Sequence, residues 1–343
     1  MKKRSGGRTA LIILCVVLGL VLTVMAGGTL YANHLMGLMN RLESGNEETL
    51  SQEQLNDMLS KETEPTTESQ GAVVNEDEID WGNEDVEKIP ASENIINILL
   101  IGQDYNAGGG RSRSDSMILV TFNRTKKTIT MTSFLRDLYV KIPGYWDNKL
   151  NVPYPAGGVE LLNEVLELNF GVQVDGNVIV DFSQFPEVID LLGGVDMEVR
   201  SDEAAYINKH TKRNELSEGM MHLDGEQALY YSRIRHLDSD ADFSRTNRQR
   251  KVLNSLIEKF RNTKLTTLLG LLDEILPMIT TDMENDEIIG YAKDLFPLLS
   301  ECTIVSQRIP ADGAYYLGMV REMSVVIADM DAARQLLAET LKD

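Results

Sequence analysis

The chain has 343 residues and a formal net charge of −20, with 43% hydrophobic and 25% charged residues. This is a globular composition, long enough for one large domain or two ordinary ones. The negative charge excludes a nucleic-acid surface spread over the whole molecule, because phosphate would be repelled at long range, yet a local arginine cluster remains able to grip phosphate. Two cysteines, Cys15 and Cys302, exclude a disulfide framework and a cysteine-based zinc site. His34, His210, His222 and His236 are scattered without metal-ligand spacing.

Lys2, Lys3, Arg4 and Arg8 precede an apolar run from Ala10 to about Leu30. Roughly twenty such residues span the hydrocarbon core as a helix, and the basic flank keeps the short N-terminus in the cytoplasm. The competing reading is a cleaved signal peptide ending near Val24-Met25-Ala26, but the run is longer than a usual signal core. The chain is therefore expected to divide into a cytoplasmic N-terminus (1–9), a transmembrane anchor (10–31), an acidic stalk (32–92) and an extracytoplasmic domain (93–343). The stalk is rich in Glu, Asp, Ser, Thr and Gln, with few large apolar residues to offset ordering entropy, which predicts a helical or disordered tether.

From Ile95 the pattern turns globular. "INILLIG" and "SMILVTFN" read as buried strands, and "RTKK" turns the second into "TITMTSF". "GGVELLNEVLELNFG" has helical spacing between glycines. "NVIVDF" reads as a strand, "SQFPEVIDLLGG" as a helix and "VDMEV" as a strand. Ser244 is placed to cap a helix, and further helices are predicted over 265–276 and 284–299. "TIVSQRI" reads as a strand and "MDAARQLLAETL" as a closing helix. This alternation predicts an α/β fold, a sheet with helices packed on both faces.

No nucleophile elbow, P-loop, H-E-x-x-H or dinucleotide fingerprint is present. Chemistry instead gathers in arginines and aspartates at strand ends. In "GQDYNAGGGRSRSDS", Asp104 follows one strand and Asp115 precedes the next, two hard oxygen ligands of the kind that suits Mg²⁺ and its phosphates. Arg111 and Arg113 lie in the same loop, which also reads simply as a polar turn. "SFLRD" ends a strand with Arg136 and Asp137, and "KLNVPYPAGG" sets Lys149 and Asn151 before a turn and a helix. In "SRIRHLDSDADFSRTNRQR", an extended segment would project Arg233 and Arg235 to one face, while Arg245 and Arg248 are neighbours at a helix start. Guanidinium forks bind phosphate bidentately, aided by a helix N-terminus.

"NILLIGQD", "RSDSM", "SFLRD", "KLNVPYPAGG", "DLLGGVDMEV", "LDGEQALYYSRIRH" and "DFSRTNRQRKVL", in this order, resemble the LytR–CpsA–Psr family of cell-wall glycopolymer ligases over residues 95–341. The resemblance implies a three-layer α/β/α sandwich with a central mixed sheet, a hydrophobic cleft for a polyprenyl chain, and a Mg²⁺-pyrophosphate site. By motif position it implies Asp104 and Asp115 as metal ligands, with Arg113, Arg136, Arg233, Arg235 and Arg245 around the pyrophosphate. Arg248 and Gln249, with Arg111, Lys149 and Asn151, would bind the pyrophosphate or orient the arginines. Two departures stand out: Leu135 replaces the family's usual proline before the Arg-Asp pair, and the loop before Asp115 carries an extra Arg-Ser.

The implied activity is transfer of a glycopolymer from a polyprenyl-pyrophosphate carrier to peptidoglycan at the outer face of the cytoplasmic membrane, with no nucleic-acid partner. The alternatives are a pyrophosphatase acting on the same lipids, a membrane-bound regulator, and a non-catalytic carrier-binding protein.

Overall fold

The computed structural model describes residues 34–42, 49–61, 71–83, 85–90, 92–103, 111–181, 183–234, 237–238, 244–245, 247–248, 251–252, 255, 271–295 and 301–342. Along the chain these form β1 (Asn40–Arg41), α1 (Gln52–Lys61), β2 (Ala72–Val73), β3 (Ile95–Gln103), β4 (Ser114–Asn123) and β5 (Thr128–Phe134). Next come β6 (Tyr139–Val140), β7 (Asn148–Lys149), α2 (Pro153–Phe170), β8 (Gly176–Asp181), α3 (Phe185–Leu191), β9 (Val195–Val199) and α4 (Ser201–Thr211). Then follow β10 (Gly219–Leu223), α5 (Gly225–Arg233), β11 (Ile279–Thr281) and α6 (Asn285–Leu295). β12 (Thr303–Ile309), β13 (Tyr315–Val320), β14 (Met323–Ala328) and α7 (Met330–Thr340) close the described chain. The chain divides into two compact units, Met1–Leu42 with Val178–Ser306 and Glu43–Asn177 with Gln307–Asp343. The predicted anchor, 10–31, lies outside the described residues; among those described, no helix is long and apolar enough to cross a membrane.

In the unit that contains Glu43–Asn177, β3, β4 and β5 form an antiparallel meander that sets Leu99 opposite Leu119 and Leu119 opposite Thr132. Their side chains are buried almost without alternation, as in a sheet covered on both faces. α2 lies against this meander, with the rings of Phe134 and Phe170 5.4 Å apart. A buried polar residue in β3, Asn97, is saturated. Its Oδ1 accepts from Thr121 at 2.8 Å, its Nδ2 donates to the Gln173 carbonyl at 3.0 Å, and its backbone N donates to Asp175 at 2.7 Å. α2 is broken at Gly157 and Gly158, where φ is −149° and 71°, so the two predicted "opening" glycines divide a first turn begun by Pro153 from the main helix. Gly171 ends α2 at φ 71°, and a Cβ there would meet the Glu87 carbonyl oxygen at 2.4 Å.

The acidic segment departs from the stalk expected over 32–92. Leu55 of α1 is 1% exposed, and Ile79 is buried with Tyr139, Val320, Val325 and Ile327, with Trp81 and Val74 packed alongside. β2 extends the β13–β14 hairpin as a parallel third strand. The folded domain therefore begins well before residue 93. The acidic average of this segment hides a few apolar residues, and those few dock it. The β13–β14 hairpin itself was not legible in the sequence. Its turn places Arg321 and Glu322 at φ 46° and 64°, with none of the Gly or Asn that normally marks such a turn.

In the other unit, β11 pairs antiparallel with β8 and parallel with β1, so the sheet is mixed, as expected. β9 and β10 form an antiparallel pair, and α5 packs against both α3 and α4. α5 starts in a reciprocal cap: Gln227 N donates to Asp224 Oδ1 at 2.9 Å, and Asp224 N donates to Gln227 Oε1 at 3.1 Å. The strands predicted at "VDMEV" and "TIVSQRI" and the helix at "MDAARQLLAETL" are present. Of the predicted helix 265–276, residues 271–275 are described and helical.

Candidate functional site: two arginine–carboxylate networks

The first network lies at the ends of β4 and β5. Asp115 is the second residue of β4, and Arg136 follows β5 by two positions. Arg136 is 5% exposed and donates from Nη1 to Asp115 Oδ1 at 2.7 Å. Its Nε lies 3.3 Å from Asp137 Oδ2, and Asp137 Oδ1 is 2.8 Å from Lys149 Nζ on β7. Two carboxylates and two cations thus alternate in one chain of contacts.

The backbone beneath them is fixed from several sides. Leu135 N donates to the Ile309 carbonyl at 3.1 Å, Val326 N to the Asp137 carbonyl at 2.8 Å, and Leu150 N to the Leu138 carbonyl at 2.8 Å. The first of these bonds needs an amide hydrogen, which Leu135 has and a proline would lack. Asn151 N donates to the Arg136 carbonyl at 3.1 Å, while its own side chain is 1% exposed and its Oδ1 has no hydrogen-bond partner among the described residues. A buried oxygen left so is a candidate ligand atom. Arg113 and Arg111 immediately precede β4, both half-buried. Burial pushes the Tyr145 phenol above its usual value and the Arg111 charge opposes that shift, which places Arg111 towards the loop between β6 and β7.

The second network lies around α4 and α5. Arg248 is 3% exposed and donates from Nε to Glu203 Oε1 at 2.7 Å, from Nη1 to the Ile234 carbonyl at 3.2 Å, and from Nη2 to Asp238. Glu203 also accepts from Arg200 N at 2.9 Å, and Arg200 Nη1 donates to Asp238 at 2.9 Å. Partial burial raises the Asp238 carboxyl pKa, but the bonds from Arg248 and Arg200 outweigh it and hold the group below its ordinary value. Arg248 therefore ties Ile234, just after α5, to Glu203 and Asp238. Arg245 is buried at 5% exposure.

Arg233 corrects the extended-segment reading. It is the exposed last residue of α5, a helix set by the Asp224–Gln227 cap and by burial of Ala228, Tyr231 and Ser232 along one face. The "DGEQ" capping signal was present in the sequence. Asp104, Arg235 and Gln249 lie outside the described residues. Sequence reasoning missed Glu203, whose partner Arg248 is 45 positions away.

For the metal the resemblance implies, no group of three or more His, Cys, Asp or Glu is assembled among the described residues. The Asp115 carboxylate, bonded to Arg136, and the side-chain oxygen of Asn151, whose backbone N bonds the Arg136 carbonyl, are hard oxygen donors of the type Mg²⁺ takes alongside phosphate oxygens and water. The donor chemistry fits.

Fold and sites define a class: an α/β protein with a mixed sheet that buries guanidinium groups beside carboxylates at its strand ends. The chain belongs to the LytR_cpsA_psr family, whose model matches residues 53–340. It is 34% identical over 221 residues to the polyisoprenyl-teichoic acid–peptidoglycan teichoic acid transferase TagT of Bacillus subtilis, covering 63% of this chain and 67% of that protein. It is 33% identical over 222 residues to the regulatory protein MsrR of Staphylococcus aureus strain COL, covering 64% of this chain and 66% of the relative, just under two thirds of its length. Among solved structures, TagT bound to LI-WTA matches with a TM-score of 0.58 at 29% identity, over 77% of this chain and 96% of that one. TagT with bound octaprenyl pyrophosphate lipid matches with a TM-score of 0.55 at 27% identity, over 79% and 98%.

Proposed function

We propose that this protein transfers a glycopolymer from a polyprenyl-pyrophosphate carrier to peptidoglycan, working from an N-terminal membrane anchor with its domain outside the cytoplasm. The observation that carries the reading is the Asp115–Arg136–Asp137–Lys149 network, with Arg136 buried and the other three residues half-buried. Family membership and the similarity to the teichoic acid transferase TagT support it.

In the reaction an acceptor hydroxyl attacks the phosphorus that bears the sugar. The new P–O bond forms as the bond to the bridging oxygen breaks, the hydroxyl's proton passes through water to the leaving phosphate, and polyprenyl phosphate leaves. Arg136 and Lys149, already oriented by carboxylates, neutralise charge that grows on the leaving phosphate without having to reorganise. By motif position Arg113 belongs with Arg136 at this diphosphate, with Arg111 in support, and Arg233, Arg235, Arg245 and Gln249 are further phosphate-binding candidates. Asp115, with Asp104 and the Asn151 oxygen, would hold Mg²⁺, which supplies charge neutralisation at the phosphate oxygens. Arg248 holds the turn between Arg233 and Asp238 in place.

The test is incubation of the full-length protein with lipid-linked glycopolymer, with and without peptidoglycan oligomers. Polymer attached to peptidoglycan, with polyprenyl phosphate released, is the expected result. Release of polyprenyl phosphate at the same rate without acceptor would assign a pyrophosphatase instead.

A further inference from the structure

We infer that the tip of the β6–β7 loop is a docking platform for the glycan strand of the acceptor, with Trp146 as its stacking surface. This rests on the proposed transfer reaction and names the acceptor side of it. Trp146 is 60% exposed, unusual for the largest side chain, although the Arg321 guanidinium sits over its ring at 5.7 Å. An exposed indole held rigid in this way offers a flat apolar face to the axial C–H groups of a pyranose ring, at little entropic cost on binding.

The platform is pinned from both sides of the sequence. Trp146 N donates to Gln52 Oε1 at 3.1 Å at the start of α1, and Tyr145 Oη donates to the Leu50 carbonyl at 2.5 Å. Arg321 Nη2 donates to Tyr139 Oη at 2.8 Å and to the Asp147 carbonyl, and Arg321 Nε pairs with Glu76 at 2.6 Å. Behind it, the Tyr139 and Trp81 rings stack at 5.9 Å, with Lys141 Nζ 5.0 Å from the Trp81 ring. Arg321 and Glu322, in the turn that presents this guanidinium, adopt left-handed backbone, φ 46° and 64°, where no glycine relieves the strain. Strain kept at a non-glycine turn to aim one guanidinium is a second, independent sign of use.

Position and charge choose the occupant. Trp146 precedes Lys149 by three residues, so their backbones are at most about 10 Å apart, within the reach of two or three linked sugar rings. Glu76, paired with Arg321, brings the acidic turn Glu76–Glu78 to this side of the platform, and that charge disfavours an anionic lipid headgroup and favours a neutral or amine-bearing polymer.

The chain has two tryptophans, so Trp81→Phe leaves Trp146 as the sole tryptophan of the full-length protein, read selectively by excitation at the red edge where tyrosine does not absorb. Chitotetraose and lysozyme-digested peptidoglycan glycan are titrated against it, beside vesicles of anionic phospholipid. Saturable quenching or a blue shift by the glycans is expected. In the transfer assay, Trp146→Ala should raise the acceptor KM about tenfold while kcat and the affinity for lipid-linked donor stay near wild type, and Trp146→Phe should recover part of the loss. An unchanged acceptor KM in a folded Trp146→Ala protein overturns the inference, as does a spectral response to vesicles and not to glycans. Glycan binding through Trp146 in a protein that transfers nothing would instead overturn the proposed reaction and leave the platform standing.

Discussion

Two arginines of nearly equal burial, Arg136 and Arg248, each meet two carboxylates but sit at different places in the fold. Arg248 meets two carboxylates and a carbonyl, so its guanidinium is consumed by the fold. Arg136 belongs to a chain at the strand ends in which Asp115, Asp137 and Lys149 alternate in charge. The difference teaches that a count of arginines in a motif overstates the phosphate ligands. What separates the two is where they stand, Arg248 between α4 and the segment after α5 and Arg136 at the ends of β4 and β5.

Three substitutions sharpen this contrast. Glu203→Ala leaves Arg248 buried beside one carboxylate fewer and should destabilise the fold by about 3–5 kcal/mol, read by chemical denaturation. A loss below 1 kcal/mol would mean that the pair does not tie the fold as described. Arg136→Gln should lower transfer about 10²–10³-fold, or ~2.7–4 kcal/mol of barrier, with a smaller effect on stability, so kinetics and melting are measured on the same preparation. Equal damage to stability in both variants would erase the distinction.

The smallest effect concerns pH. The folded Asp238 carboxyl titrates below its unfolded value of about 4, so its contribution is fully present above that pH and is lost as pH falls through the folded pKa. In Asp238→Asn the decline in melting temperature between about pH 5 and pH 2 should be shallower than in wild type. Parallel curves would contradict this.

The first network was largely legible in the sequence because its members fall in short motifs at strand ends, "RSDSM", "SFLRD" and "KLN", where a turn exposes side chains by rule. The second was not, since Glu203 lies on a helix with no motif and meets Arg248 only through tertiary packing. Arg233 was misplaced because alternation of Arg and Ile mimicked a strand, while the cap that nucleates α5 lies nine residues upstream at Asp224. The acidic segment misled for a related reason. Average composition sets whether a long segment can fold alone, but Leu55, Ile79 and Trp81 need only a neighbouring surface, which the β13–β14 hairpin supplies for Ile79 and Trp81. Arg321 is equally invisible in one dimension, being 182 residues from the Tyr139 hydroxyl it contacts.

The measurement that bears most directly on the account is the affinity of the full-length protein for octaprenyl pyrophosphate beside octaprenyl monophosphate, with Mg²⁺ and after chelation. The network around Arg136 predicts a clear preference for the diphosphate that falls on chelation and disappears in Arg136→Gln. Equal affinity for the two lipids in the wild-type protein, or a preference that Arg136→Gln leaves intact, would contradict it.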